Sequence, residues 1–236
     1  MKTSQTLQHA IAITGAIASG KSTASKIFEL LGYRVICADS IAHRVLEQNA
    51  KEIINVFGAQ IANQNPPNPQ TDANPDINLA LNPPANQASQ EPQPTINRKE
   101  LGKIVFADER KRKLLESILH PKIHAQILSK ALELESSHQW YFLDIPLFFE
   151  SGGRERYPVR YVLTIATDER TQLERVMKRD ALKPCEIEQR INAQMPLQEK
   201  INASDFVIHN GGTLQDLQHK IEEFLAMIGD CDTGNK

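Results

Sequence analysis

The residues Gly15-Ala-Ile-Ala-Ser-Gly20-Lys21-Ser22 have the types and spacing that hold a phosphate. The two glycines let the backbone turn tightly, so that successive amide N–H groups converge on one anion. A helix starting near Lys21 adds the positive end of its dipole to the same place. Lys21 brings a full charge to the β- and γ-phosphates of a nucleotide, and the Ser22 hydroxyl can ligate Mg²⁺. Glycine is scarce, 11 residues in 236, so this pair followed by Lys-Ser is not an accident of composition. The alternative is a plain strand-to-helix turn. The stretch Gly15, Ala16, Ile17, Ala18, Ser19, Gly20, Lys21, Ser22 and Thr23 is read as a nucleoside triphosphate site.

Other polar residues stand where such a site needs them. Asp39 follows a short apolar run, just beyond a strand's carboxyl end, where α/β sheets place their chemistry. Position alone leaves open whether Asp39 or Ser40 only caps the next helix. Asp144 closes the apolar run Trp140-Tyr-Phe-Leu, a Walker-B pattern that suits the outer shell of Mg²⁺, a metal held partly through water. Capping the following turn is its bland alternative. Arg175 and Arg179, four apart on one helical face, precede Asp180-Ala-Leu-Lys-Pro184, read as a mobile segment, and are candidates for contacting phosphates. Arg190 and Gln194 lie on a further helical stretch. His120, before Pro121, reads as a helix-junction residue.

The elements that must position these groups alternate strand and helix. Strands are expected at 10–15, 33–37, 140–144, 161–165 and 205–210. The first helix follows Lys21, with Gly32 as its C-cap. Others start after Asp39, at Arg98, at Glu109 and, beyond a break at His120-Pro121, at Lys122. Thr167-Asp168 begins another, and Thr213-x-x-Asp216 opens the last as a capping box. This order predicts a parallel five-stranded sheet with helices on both faces, the three-layer α/β/α form of P-loop proteins. The nucleotide-binding core is expected at 1–39 and 137–236, and a helical region at 40–136.

One stretch departs from this pattern. Between Pro66 and Pro94 lie 8 of the 13 prolines, amid Asn and Gln, with neither glycine nor aromatic residue. Residues 62–94 are therefore read as a disordered surface insertion that cannot offset its ordering entropy. The whole chain is ordinary for a globular protein, with 40% hydrophobic and 24% charged residues. A formal charge of −2 leaves no basic footprint for nucleic acid or a membrane surface. No apolar run approaches a bilayer span. An amino-terminal apolar stretch that runs straight into the phosphate loop is not read as a signal peptide. Cys37, Cys185 and Cys231 are widely spaced without metal-like pairing, which fits a reducing cytoplasm.

In sequence order, Ile13-Thr14-Gly15 with Ser19-Gly-Lys-Ser-Thr23, Ala38-Asp39, Ile104-Val-Phe-Ala107, Leu119-His-Pro121, Asp144-Ile-Pro-Leu147 with Phe149-Glu150, Gln172 with Arg175, Arg179-Asp180, and Arg190 with Gln194 resemble dephospho-coenzyme A kinases. The resemblance covers most of 10–58 and 97–225. It implies transfer of the ATP γ-phosphoryl group, with Mg²⁺, to the ribose 3′-hydroxyl of dephospho-coenzyme A, the last step of coenzyme A synthesis. It further implies that the region 40–136 receives the acceptor and that a lid at about 178–195 closes over the phosphates. Asp39 would face the acceptor hydroxyl, Lys21, Arg175, Arg179 and Arg190 would serve the phosphates, and the segment near Asn210 would border the adenine. Three positions depart from the family pattern. Ala16 and Ala18 stand where glycine is usual, and Cys37 where Asp is common. The rival readings are another small-molecule kinase of this fold and a nucleotide-dependent switch.

Overall fold

A computed structural model describes residues 6–63, 94–180, 187, 191 and 194–233. Among them run β1 (Leu7–Gly15), α1 (Lys21–Leu30), β2 (Arg34–Cys37), α2 (Ala38–Gln48), α3 (Ala50–Phe57), a 3₁₀ turn (Ala59–Ile61), α4 (Arg98–Ala107) and α5 (Glu109–Glu135). Then come β3 (Tyr141–Asp144), α6 (Gly153–Arg156), β4 (Val159–Ala166), α7 (Glu169–Asp180), α8 (Leu197–Asn202), β5 (Phe206–His209) and α9 (Leu214–Thr233). The five strands form one parallel sheet in the order β2-β3-β1-β4-β5. All five expected strands are present, and β3 is inserted between β2 and β1.

The chain divides into two compact units, residues 1–39 with 126–236, and residues 40–125. In the first, the strands read as near-continuous apolar runs because both faces of the sheet are covered. Ile11 and Ile13 of β1, Phe142 of β3, and Leu163 and Ile165 of β4 face Ile27 and Phe28 of α1 and Leu217, Ile221 and Phe224 of α9. Phe28 stacks on Phe142 with ring centroids 4.0 Å apart. Thr164, between Leu163 and Ile165, points to the opposite face, where its hydroxyl meets Ser204 at 2.6 Å beside α8. Helix α1 ends as expected at Gly32, whose N–H bonds Glu29 O while Tyr33 N–H reaches Phe28 O, a Schellman closure.

The second unit buries Ile41, Val45, Ile53, Phe57, Ile61, Ile96 and Leu101. Here the expected insertion at 62–94 lies mostly outside the described residues, but its two ends are side by side. Ala62 bridges Ile96 in antiparallel fashion. Asn97 N–H donates to Ile61 O at 2.7 Å, Asn63 N–H to Thr95 O at 3.0 Å, and Asn63 Nδ2 to Thr95 Oγ1 at 2.9 Å.

One expectation needs correcting, and one open alternative closes. Pro121 does not divide two helices, because α5 runs unbroken from Glu109 to Glu135. Proline costs that helix one backbone bond, but residues on both sides hold it in place. Leu119, Ile127 and Ala131 are buried, and Lys122 reaches Asn49 and Glu52. Nor is Asp39 an N-cap. Helix α2 begins at Ala38, which puts Asp39 inside its first turn. Three short helices, α3, α6 and α8, were not expected, although Ala50, Ile53 and Phe57 of α3 are buried at helical spacing and offered a signal for it.

Candidate active site

The sheet order brings the carboxyl ends of β2, β3 and β1 to one edge. Ile13 is in register with Asp144, and Asp144 with Cys37. The phosphate-binding loop, Asp144 and Asp39 therefore leave the same edge of three neighbouring strands, where open α/β sheets bind ligands.

The loop is shaped by close approach. A Cβ on Gly15 would lie 2.5 Å from the Ile165 carbonyl oxygen and 2.6 Å from Ser19 Oγ, so only glycine lets β4 pass this near. Gly20 has φ +89°, and a Cβ there would meet Asn210 Nδ2 at 2.1 Å. Ala18 also adopts a left-handed conformation, φ 57°. That conformation costs an alanine roughly 1–2 kcal/mol, which the surrounding bonds must offset. The loop makes such bonds. Ser19 N–H donates to Ala16 O at 3.1 Å, Asn210 Nδ2 to Ser19 O at 2.8 Å, and Ile17 N–H to Gln194 Oε1 at 3.1 Å. Asn210 is itself buried and tied by its N–H to Ala166 O and by its carbonyl to the Thr167 hydroxyl. No side chain caps the N-terminus of α1, whose first-turn amides stay available to an anion.

Lys21 turns back onto Asp144, pairing through Oδ1, while Ser25 Oγ donates to Oδ2 at 2.8 Å. Lys21 and Ser25 are four apart on α1, so both reach one carboxylate. Ser22 and Thr23 are exposed on the first turn. Arg175 Nη1 is buried with no hydrogen-bond partner among the described residues, and lies 3.8 Å from where a Gly20 Cβ would sit. A buried guanidinium nitrogen without a partner beside an anion loop has the chemistry of a phosphate contact. Asp168 opens α7 by accepting from Thr171 N–H at 2.8 Å. That bond, with the Thr171 hydroxyl and the nearby charge of Arg175, holds its carboxyl below the usual range. Asp39 is exposed, and among the described residues its carboxylate makes no hydrogen bond or ion pair. Arg179 lies on the exposed side of α7, and Arg190 falls outside the described residues, as does most of the expected lid. Among the described residues no cluster of three His, Cys, Asp or Glu could hold a metal. The hard oxygens of Ser22 and Asp144 suit a magnesium ion that keeps most of its other ligands from water and substrate.

Residues 9–66 and 86–216 match the family model described as dephospho-CoA kinase. The chain belongs to the dephospho-CoA kinase family. A dephospho-CoA kinase of Helicobacter hepaticus is 44% identical over 222 residues, covering 94% of this chain and 94% of that protein. The Campylobacter jejuni enzyme is 33% identical over 229 residues, covering 97% of this chain and 100% of that protein. A solved structure of the dephospho-CoA kinase from Campylobacter jejuni superposes with TM-score 0.63 at 30% identity, covering 94% of this chain and 98% of that one. The chain is thus a kinase that phosphorylates an alcohol group, on the five-stranded P-loop fold. No helix among the described residues is long and apolar enough to cross a membrane.

Sequence reasoning missed one member of the site and the contacts of two others. Ser25 was detectable from its four-residue spacing to Lys21. Gln194 appears in the family pattern without a role that spacing could supply. The bracing of Ser19 by Asn210 joins residues 191 positions apart and has no local signal.

Proposed function

We propose that the chain transfers the γ-phosphoryl group of ATP to the ribose 3′-hydroxyl of dephospho-coenzyme A, with the helical region 40–136 receiving that acceptor. The observation that carries this reading is the contrast of partners along one sheet edge. Cations and loop amides gather at the phosphate loop, and one exposed carboxylate, Asp39, stands apart from them with no hydrogen bond or ion pair among the described residues. Phosphoryl transfer asks for this division, since its loose transition state needs positioning and charge neutralisation more than covalent chemistry.

In this reading Lys21 leaves Asp144 for the β- and γ-phosphates, whose charge outcompetes a single carboxylate. Arg175 binds the transferring group, and Arg179 and Arg190 belong to the closing lid. The acceptor hydroxyl attacks the γ-phosphorus in line while Asp39 takes its proton. The new O–P bond forms, the bond to the β–γ bridging oxygen breaks, and the electron pair leaves on ADP. Ser22 and Asp144 would hold Mg²⁺, which supplies charge neutralisation at the phosphates when bound. The segment near Asn210 borders the adenine. The test is ADP release with ATP and Mg²⁺ over a panel of dephospho-coenzyme A, AMP, shikimate and no acceptor. Turnover is expected with dephospho-coenzyme A alone. Turnover only with another acceptor, or no acceptor dependence, overturns the proposal.

A further inference from the structure

We propose that Gln194 is a further phosphate-binding residue of this site: Ile17 N–H locks its carboxamide oxygen, and its NH₂ group is thereby presented to the terminal phosphate of the nucleotide. The inference rests on the reading above that a nucleoside triphosphate occupies the loop. An amide N–H only donates, so the atom of Gln194 that lies 3.1 Å from Ile17 N must be the oxygen. This fixes an orientation that a free glutamine lacks. The two N–H donors on Nε2 have no acceptor among the described residues, although they adjoin a loop built to hold anions.

The backbone beside Gln194 is held from a second direction. Met195 N–H donates to Glu150 Oε1 at 3.0 Å, and the same oxygen lies 2.8 Å from Lys200 Nζ. The Lys200 side chain is fully buried. Glu150 itself is exposed, so the pair adds little net stability and acts chiefly by fixing geometry. The nucleotide-binding chemistry does not use this pair. Its position explains it as the anchor that keeps Gln194 against Ile17.

The experiment is direct titration of the full chain with ATP and with ADP, each with Mg²⁺, for Gln194→Ala and Gln194→Glu. A carboxylate at this position accepts from Ile17 as well as the amide does, but it has no N–H and repels phosphate. Both variants are expected to lose about 10–100-fold in affinity for ATP relative to ADP, the worth of a hydrogen bond to a charged oxygen. Glu should lose at least as much as Ala, with melting temperatures unchanged. If Glu binds ATP like the wild type, or if ATP and ADP affinities fall together, Gln194 only supports the loop and the proposal fails. The double variant Glu150→Gln, Lys200→Met should lower the same ATP/ADP ratio, with little further loss when Gln194→Ala is added. Full additivity would overturn the anchoring role. No acceptor enters these titrations. A wild type that prefers ATP but leaves dephospho-coenzyme A untouched would therefore sink the proposed acceptor and not this residue.

Discussion

Asp144 and Asp39 leave neighbouring strands at one sheet edge, yet they live in opposite surroundings. Asp144 is buried, with Lys21 on one oxygen and Ser25 on the other. Asp39, two residues beyond the strand position that registers with Asp144, is exposed and makes no hydrogen bond or ion pair among the described residues. Residue type does not separate them; partners do. A carboxylate with both oxygens engaged can orient other groups but has no room for an incoming proton, whereas a bare one is ready to receive it.

The largest effect that bears on this contrast should come from the cation at its centre. Lys21→Ala is expected to cut kcat by about 10³–10⁵-fold, the range for a charge placed on a transferring phosphoryl group. Lys21→Arg should not restore it, because a planar guanidinium does not replace a compact ammonium in a tight loop. Near-normal turnover in steady-state assays of the alanine variant would break the assignment of the whole edge.

Asp39→Asn comes next. Asn keeps the size but cannot take a proton, so kcat should fall about 10²–10⁴-fold, while melting temperature and ATP affinity stay at wild-type values. Full activity in this variant would leave the acceptor proton to solvent or phosphate and remove the functional half of the comparison.

Asp144→Asn should differ in kind. Losing two bonds to a charged carboxylate costs about 1.5–3 kcal/mol of stability, and activity should drop about 10–100-fold as an outer partner of the metal is lost. Calorimetry and kinetics together sharpen the distinction: both should move for Asp144, but only rate for Asp39.

The smallest effect concerns two carboxylates engaged as helix caps. Asp168 and Asp216 are held below the ordinary aspartate value of 3.8, first of all by bonds from the Thr171 and Thr213 backbone N–H groups. A lowered folded-state pKa contributes stability that is present above the unfolded value and lost as pH falls through the folded one. Melting temperature should therefore begin to decline below about pH 4, and Asp216→Asn should flatten that decline slightly. A profile that the substitution leaves unchanged would show that these caps carry no acid sensitivity.

Much of this was legible in the sequence because it is local. The loop, the five strands, the Schellman end of α1 and the capping box at Thr213–Asp216 each depend on residues a few positions apart, and the last two form the bonds expected of them. Less legible was whatever depends on who arrives from elsewhere. Pro121 looked like a break because the restriction before proline is local, while the contacts that keep α5 continuous come from Asn49 and Glu52, some 70 residues away. Asp39 could not be told from a cap until the start of α2 was seen. Asn210 looked like a rim residue, and only the fold shows its amide spent on Ser19.

The bonded neck at Ile61–Asn63 and Thr95–Asn97 has a consequence for how this gene can change. Once the neck closes, the cost of tethering the intervening residues rises only with the logarithm of their number, about 0.6 kcal/mol for each doubling. The match to the family skips residues 67–85, within that span. Adding or removing codons there should therefore change the closure cost by only tenths of a kcal/mol, and the stability of the flanking unit should register an altered length only weakly.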